Sequence, residues 1–163
     1  MYDYKKISKL IDMPVISQKD KIIIGTITDI IFNRKNMKVA GYAVAVGRLI
    51  QLQRFLSIEK IIKISERKLF VKDSSALSSL AQIKKDNAYA SYMRQIKGME
   101  IARNGRRIGN VSDLLYRAEF GELVYFEVSD GFSEDLLKGR KHIVHNDTVF
   151  GNNNIEVRNN NDV

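Results

Sequence analysis

The nine-residue phrase IGTITDIIF (Ile24–Phe32) returns as IGNVSDLLY (Ile108–Tyr116), 84 positions further on. A chain that writes one phrase twice is constrained to fold as two copies of one unit, because the repeat reuses one burial pattern and one set of backbone breaks. At this offset Gly25 falls on Gly109, Asp29 on Asp113 and Phe32 on Tyr116. VAGYAV (Val39–Val44) falls on LVYFEV (Leu123–Val128) at the same 84, while MPVI (Met13–Ile16) meets MEIA (Met99–Ala102) and KLFV (Lys68–Val71) meets NIEV (Asn154–Val157) at 86. A drift of two residues is the size of a loop insertion.

Each copy reads as short strands broken by turns. Pro14–Ser17 and Ile101–Arg103 open them, and a turn follows, SQKDK in one copy and RNGRR in the other, where Asn104-Gly105 is a hairpin signal. Val39–Val46 and Leu123–Ser129 are rich in β-branched and aromatic residues. Ile61–Ser65 with Lys68–Val71, and His145–Phe150 with Asn154–Val157, close the copies as hairpins. This pattern predicts a mainly β chain of two tandem small antiparallel barrels.

The phrase itself breaks strict alternation. Ile24, Thr26, Thr28, Ile30 and Phe32 would share one face, mixing polar with apolar side chains, and Asn110 and Ser112 repeat the anomaly. A strand that bulges midway switches its inward face and removes the conflict. Gly25 and Gly109 then mark places where backbone approaches backbone, and Asp29 and Asp113 accept backbone N–H groups at the bend, a structural role.

Between the copies, SSALSSLAQIKK opens with serines suited to helix N-caps, and Tyr89, Tyr92, Met93 and Ile96 follow Asp86 at helical spacing until Gly98. The expected division is a first barrel over 1–72, a helical linker over 73–98, a second barrel over 99–158 and a disordered tail over 159–163. The tyrosine-methionine stripe is expected to pack on a barrel.

Composition limits what such a chain does. It has no cysteine, which excludes disulfides and thiolate chemistry. Its start is charged, without the apolar core of a signal peptide, and its longest apolar run, AGYAVAV, is far short of the ~20 residues that span a bilayer. A cytoplasmic protein with no integral membrane segment is expected. The net charge of +8 is uneven: residues 1–72 carry 15 Lys/Arg against 6 Asp/Glu, and residues 99–163 carry 8 against 11.

The stretch from Ser8 to Val44, with Met13-Pro14-Val15 followed by Gly25, Ile27 and Asp29, resembles the start of a PRC-barrel domain. Met99-Glu100-Ile101, Gly109, Val111 and Asp113 repeat the pattern, with Glu100 in place of the proline. The family is that of the photosynthetic reaction-centre H subunit and the ribosome maturation factor. The resemblance covers about 12–72 and 98–158. It implies a six-stranded barrel per copy, no shared catalytic residues, and service as an assembly or adaptor module.

Catalytic signatures are absent: no GxSxG, HExxH or GxxxxGK[ST] occurs. His142 and His145, with Asp147 nearby, are the only imidazoles, and on a strand i and i+3 point to opposite faces, so no metal is expected. No cofactor is expected either. Basic residues offer a possible binding surface: Arg34, Lys35 and Lys38 on one connector, and Arg48 and Arg54 around LIQLQ. Such a surface suits RNA phosphates or anionic lipid heads, though few aromatics accompany it for base stacking. The expected function is a non-catalytic adaptor acting through protein–protein contacts, with an RNA- or ribosome-associated factor as the alternative.

Overall fold

The computed structural model describes residues 4–117, 121–131, 139–144, 146 and 148–158. Among them, the first half holds strands β1 (Tyr4–Lys6), β2 (Pro14–Ser17), β3 (Ile23–Asn33), β4 (Val39–Val46), β5 (Leu52–Ser57), β6 (Ile61–Ile64) and β7 (Leu69–Val71). Next come β8 (Leu77–Ser79), a helix α1 (Leu80–Lys85) and β9 (Tyr89–Ser91). The second half holds β10 (Glu100–Arg103), β11 (Arg106–Arg117), β12 (Glu122–Ser129), β13 (Lys141–Val144), β14 (Thr148–Phe150) and β15 (Asn154–Val157). The protein is mainly β.

These strands form two sheets. One runs β6-β7-β2-β3-β4-β5-β8 and the other β14-β15-β10-β11-β12-β13. Apart from β8, the orders correspond strand for strand, including the parallel pairs β2 with β7 and β10 with β15. The register of β3 on β4 slips between Ile27 and Asp29, and that of β11 on β12 slips between Val111 and Asp113. The slip is the physical reason for the broken alternation. Ile27 and Ile30 both face the core with nothing exposed, although three residues apart, because Thr28 is taken up in the bulge.

Gly25 and Gly109 sit just ahead of the slips. A Cβ on Gly25 would lie 2.7 Å from the Ala45 carbonyl, and one on Gly109 would lie 2.6 Å from the Ser129 carbonyl. The neighbouring strand leaves no room for a side chain at either place.

The two sheets enclose one core. Val15, Ile27, Ile30, Phe32, Tyr42 and Leu56 from the first half pack in one cluster with Ile101, Val111, Leu114, Tyr116 and Phe126 from the second. Tyr42 and Tyr116 come from different sheets, and their side chains interact; burial, then Tyr116, pushes the Tyr42 hydroxyl well above its ordinary pKa.

The segment over 73–98 differs from the helical expectation. It adds β8 to the edge of β5 and β9 to β3, leaving α1 and a five-residue turn, Tyr92–Ile96, as its helical parts after Ser78. Ser79 does cap α1, accepting from the Ala81 N–H, but Asp86 accepts from Ala88 in a tight turn and starts no helix. Consequently the Tyr89–Ile96 stripe is split: Tyr92 and Ile96 are buried, Tyr89 packs beside α1, and Met93 is exposed.

Before β10, then, comes a strand that pairs with the other half. Before β2 the same happens: β1 pairs with β11, Lys6 opposite Leu115, as β9 pairs with β3, Ser91 opposite Ile31. The halves exchange their leading segments. A 3-10 turn, Ile7–Leu10, follows β1 and buries Ile7 and Leu10; the wider π turn after β9 buries Tyr92 and Ile96. One extra residue in the second turn accounts for its π form and for the offset growing from 85 at the strands to 86 beyond them. The predicted closing hairpins are β6 with β7 and β14 with β15. His145, Asp147 and the tail over 159–163 lie outside the described residues.

Candidate functional site

The repeated aspartates each hold the segment that crosses from the other half. Asp29 Oδ1 accepts from its neighbour Ile30 N–H (2.8 Å) and from Met93 N–H (3.0 Å), and its Oδ2 accepts from the Ser91 hydroxyl. Asp113 Oδ1 accepts from Leu114 N–H (2.8 Å) and Ser8 N–H (3.1 Å), and its Oδ2 accepts from the Ser8 hydroxyl at 2.5 Å. Tyr92 adds its hydroxyl to Asp113 at 3.4 Å; burial and then the Asp113 charge push that phenol far above its ordinary pKa. Both carboxylates are buried. Apart from the neighbouring Ile30 and Leu114 N–H groups, these donors are backbone or hydroxyl groups of the crossing segments, so the arrangement locks chain to chain.

Beside Asp113 the halves stop resembling each other. In the first sheet Asp29 is register-paired with Ala43, and Ala43 with Phe55. Leu80 of α1 packs on Ile31, Ala43 and Phe55, with Ile83 and Tyr89 against them, and covers this outer face. In the second sheet the matching positions are Asp113, Glu127 and His142. Glu127 is 3% exposed, yet two cations reach it, Arg140 at 2.6 Å and Lys6 at 2.5 Å, and His142 Nε2 lies 3.6 Å away. The Ser112 hydroxyl lies 3.3 Å from its Oε1.

Burial alone would raise the Glu127 pKa, but hydrogen bonds from Lys6 and Arg140 more than offset it and bring it down to about 2. Lys6 belongs to the crossing strand β1, so this ion pair also fastens one half to the other. Aromatics border the cluster: Tyr4 meets Tyr125 edge-on with centroids 5.7 Å apart, and Tyr125 lies 6.1 Å from the His142 ring. A buried acid, half-exposed cations and a tyrosine pair thus share one face of the second sheet.

The predicted basic surface does not come together. Arg34, Lys35 and Lys38 lie in the β3–β4 connection, while Arg48 follows the opposite end of β4 and Arg54 lies in β5 beside Val44. Lys38 is taken up at the seam of the halves, 3.1 Å from Glu122, and Arg34 donates from Nε to the Tyr89 carbonyl at 3.1 Å. Arg34 instead joins Lys84, Arg94 and Asn87 around an open cleft of about 220 Å³. His142 points to Glu127, and its predicted companions His145 and Asp147 lie outside the described residues. Among the described residues no three His, Asp or Glu are grouped to hold a metal, and no helix is long and apolar enough to cross a membrane.

The first half thus has the order β2-β3-β4-β5 with β7 returning parallel to β2, and a glycine–aspartate bulge on β3. Residues 3–77 match the PRC-barrel domain family. The PRC-barrel match begins one residue before the crossing strand β1 and ends at the first residue of β8, so it includes the segment that docks on the second sheet. No curated protein matches the chain.

Sequence reasoning missed the Glu127 cluster and the exchange of β1 and β9. A signal for the first was present: the repeat alignment lays Glu127 on Ala43, a charge at a strand position whose twin is apolar. For the exchange, Ser8 and Ser91 stand five residues before Met13 and eight before Met99, which gave no shared motif.

Proposed function

We propose that the chain is a non-catalytic adaptor made of two tandem PRC-barrels, joined through the segment over 73–98, that holds a protein partner on the outer face of its second sheet. The observation that carries this reading is the contrast between twin faces. The first is filled from within the chain by Leu80 and Ile83; the second presents Tyr4, Tyr125, His142 and Arg140 around buried Glu127. Tyrosine and arginine over a fixed centre are the residue types that dominate binding energy at protein interfaces. The glycine–aspartate motifs serve the scaffold, and the adaptor works in the cytoplasm.

Affinity capture from cells that express the protein tests this, comparing the natural chain with Tyr125→Ala and Arg140→Ala. A protein retained at about 0.5 M salt, where exposed charge attraction is screened, and lost from both variants is the expected result. Retention that ignores both substitutions refutes the surface.

A second reading is favoured by the cleft where Arg34, Lys84 and Arg94 converge. There the chain would follow an RNA backbone as a ribosome-associated factor. That reading requires binding to total RNA at low ionic strength with a steep loss on adding salt.

A further inference from the structure

At one end of the first sheet two turns crown the strands with aliphatic side chains. Ile22 and Ile23, entering β3, are 56% and 64% exposed; Leu49, Ile50 and Leu52, in and after the β4–β5 turn, are 100%, 79% and 62% exposed. The pairings Ile16 with Ile23, Thr26 with Ala45 and Val46 with Leu52 bring both turns to the same end. Gly47 opens the second turn with φ +105°, where a Cβ would lie 2.4 Å from the Ile50 carbonyl oxygen.

Lys19, Lys21, Arg48 and Lys72 are exposed at this end. The acids there are engaged: Asp20 accepts from the Ser17 hydroxyl at 2.7 Å and Asp73 accepts from Ser75 N–H at 2.9 Å. In the second half the places of Ile22 and Ile23 belong to Arg106 and Arg107. At the entry to the long strand, then, the repeat does not share these two isoleucines.

Its shape and charge select the occupant. A second copy would bring face to face two ends that each hold four cations against only two acids, Asp20 and Asp73. A nucleic acid would meet branched aliphatics, which offer no flat surface for base stacking. A bilayer with anionic headgroups takes both halves of the pattern, aliphatic tips below the phosphates and cations among them. We propose that this end docks reversibly on an anionic lipid bilayer, with Leu49 and Ile50 inserted and Lys21 and Arg48 on the headgroups. This goes beyond the protein-holding face, which is a separate surface, and gives the adaptor a place to stand.

Co-sedimentation of the full chain with vesicles tests it, using phosphatidylcholine alone and phosphatidylcholine with about 30% phosphatidylserine in about 0.1 M salt. Binding is expected only with phosphatidylserine, and L49S/I50S and K21E/R48E should each weaken it by roughly tenfold or more. The substituted side chains are exposed, so unchanged thermal melts check that the variants fold. No binding to the acidic vesicles overturns the proposal, as does binding that L49S/I50S leaves intact, which would be charge attraction alone. A natural chain that is dimeric by size-exclusion chromatography, and monomeric as L49S/I50S, also overturns it. Tyr125→Ala should leave vesicle binding untouched, so this inference and the protein-holding face fail separately.

Discussion

Replacing Glu127 with Gln keeps the side-chain volume and removes the charge that Lys6 and Arg140 contact at 2.5 and 2.6 Å. A pKa lowered from 4.5 to about 2 corresponds to about 3 kcal/mol at neutral pH. Lys6 and Arg140 are 41% and 49% exposed, so water and salt screen the pair, and about 1–2 kcal/mol is the expected loss. The sign follows from the depressed value: the contribution is whole above the unfolded pKa of 4.5 and disappears as pH falls through 2. By pH 3 about two-fifths of it should survive. Urea unfolding of the natural chain and Glu127→Gln, at pH 7, 5, 4 and 3, measures the gap between them. It should be constant from pH 7 to 5 and shrink below. A gap that stays level to pH 3, or none at pH 7, would refute the argument that this buried acid is held ionised by the crossing strand.

The crossing turns give further tests. Asp29→Ala strands Met93 N–H and the Ser91 hydroxyl, and should cost about 3 kcal/mol in urea unfolding. Ser8→Ala removes one of the donors to Asp113 and should cost about 1 kcal/mol, with faster amide exchange confined to β1 as the local signature. Gly25→Ala puts a Cβ 2.7 Å from the Ala45 carbonyl and should lower stability by about 1–3 kcal/mol; a neutral melt would show that the strands are not in close contact there.

What could be read from the residues was what both halves state twice. The bulge at Thr28 and Ser112 disturbs alternation in two independent stretches, so the strand, its glycine and its aspartate were legible together. The segment over 73–98 was not, because helical spacing of Tyr89, Tyr92, Met93 and Ile96 describes two turns of helix as well as a strand followed by one wide turn. What decides is remote: Asp29, 62 residues before Ser91, takes the donors that a regular helix would have left to its own carbonyls. Periodicity is a local signal, and a carboxylate on another strand outbids it.

The same exchange explains why the halves diverged where they did. Because β1 and β9 each finish the other half's sheet and share one core with it, neither half can be altered at Asp29 or Asp113 without loosening both. On the outer face of the second sheet the coupling runs through Lys6 of β1, which pairs with Glu127. Leu80 of α1 covers Ala43 and Phe55 on one side, whereas the matching positions on the other are Glu127 and His142, with Lys6 and Arg140 holding the acid ionised. A polar face fixed in position by the strand that crosses to it is where the proposed recognition can change without the fold changing. That is the physical ground for placing partner binding there and not along the shared core.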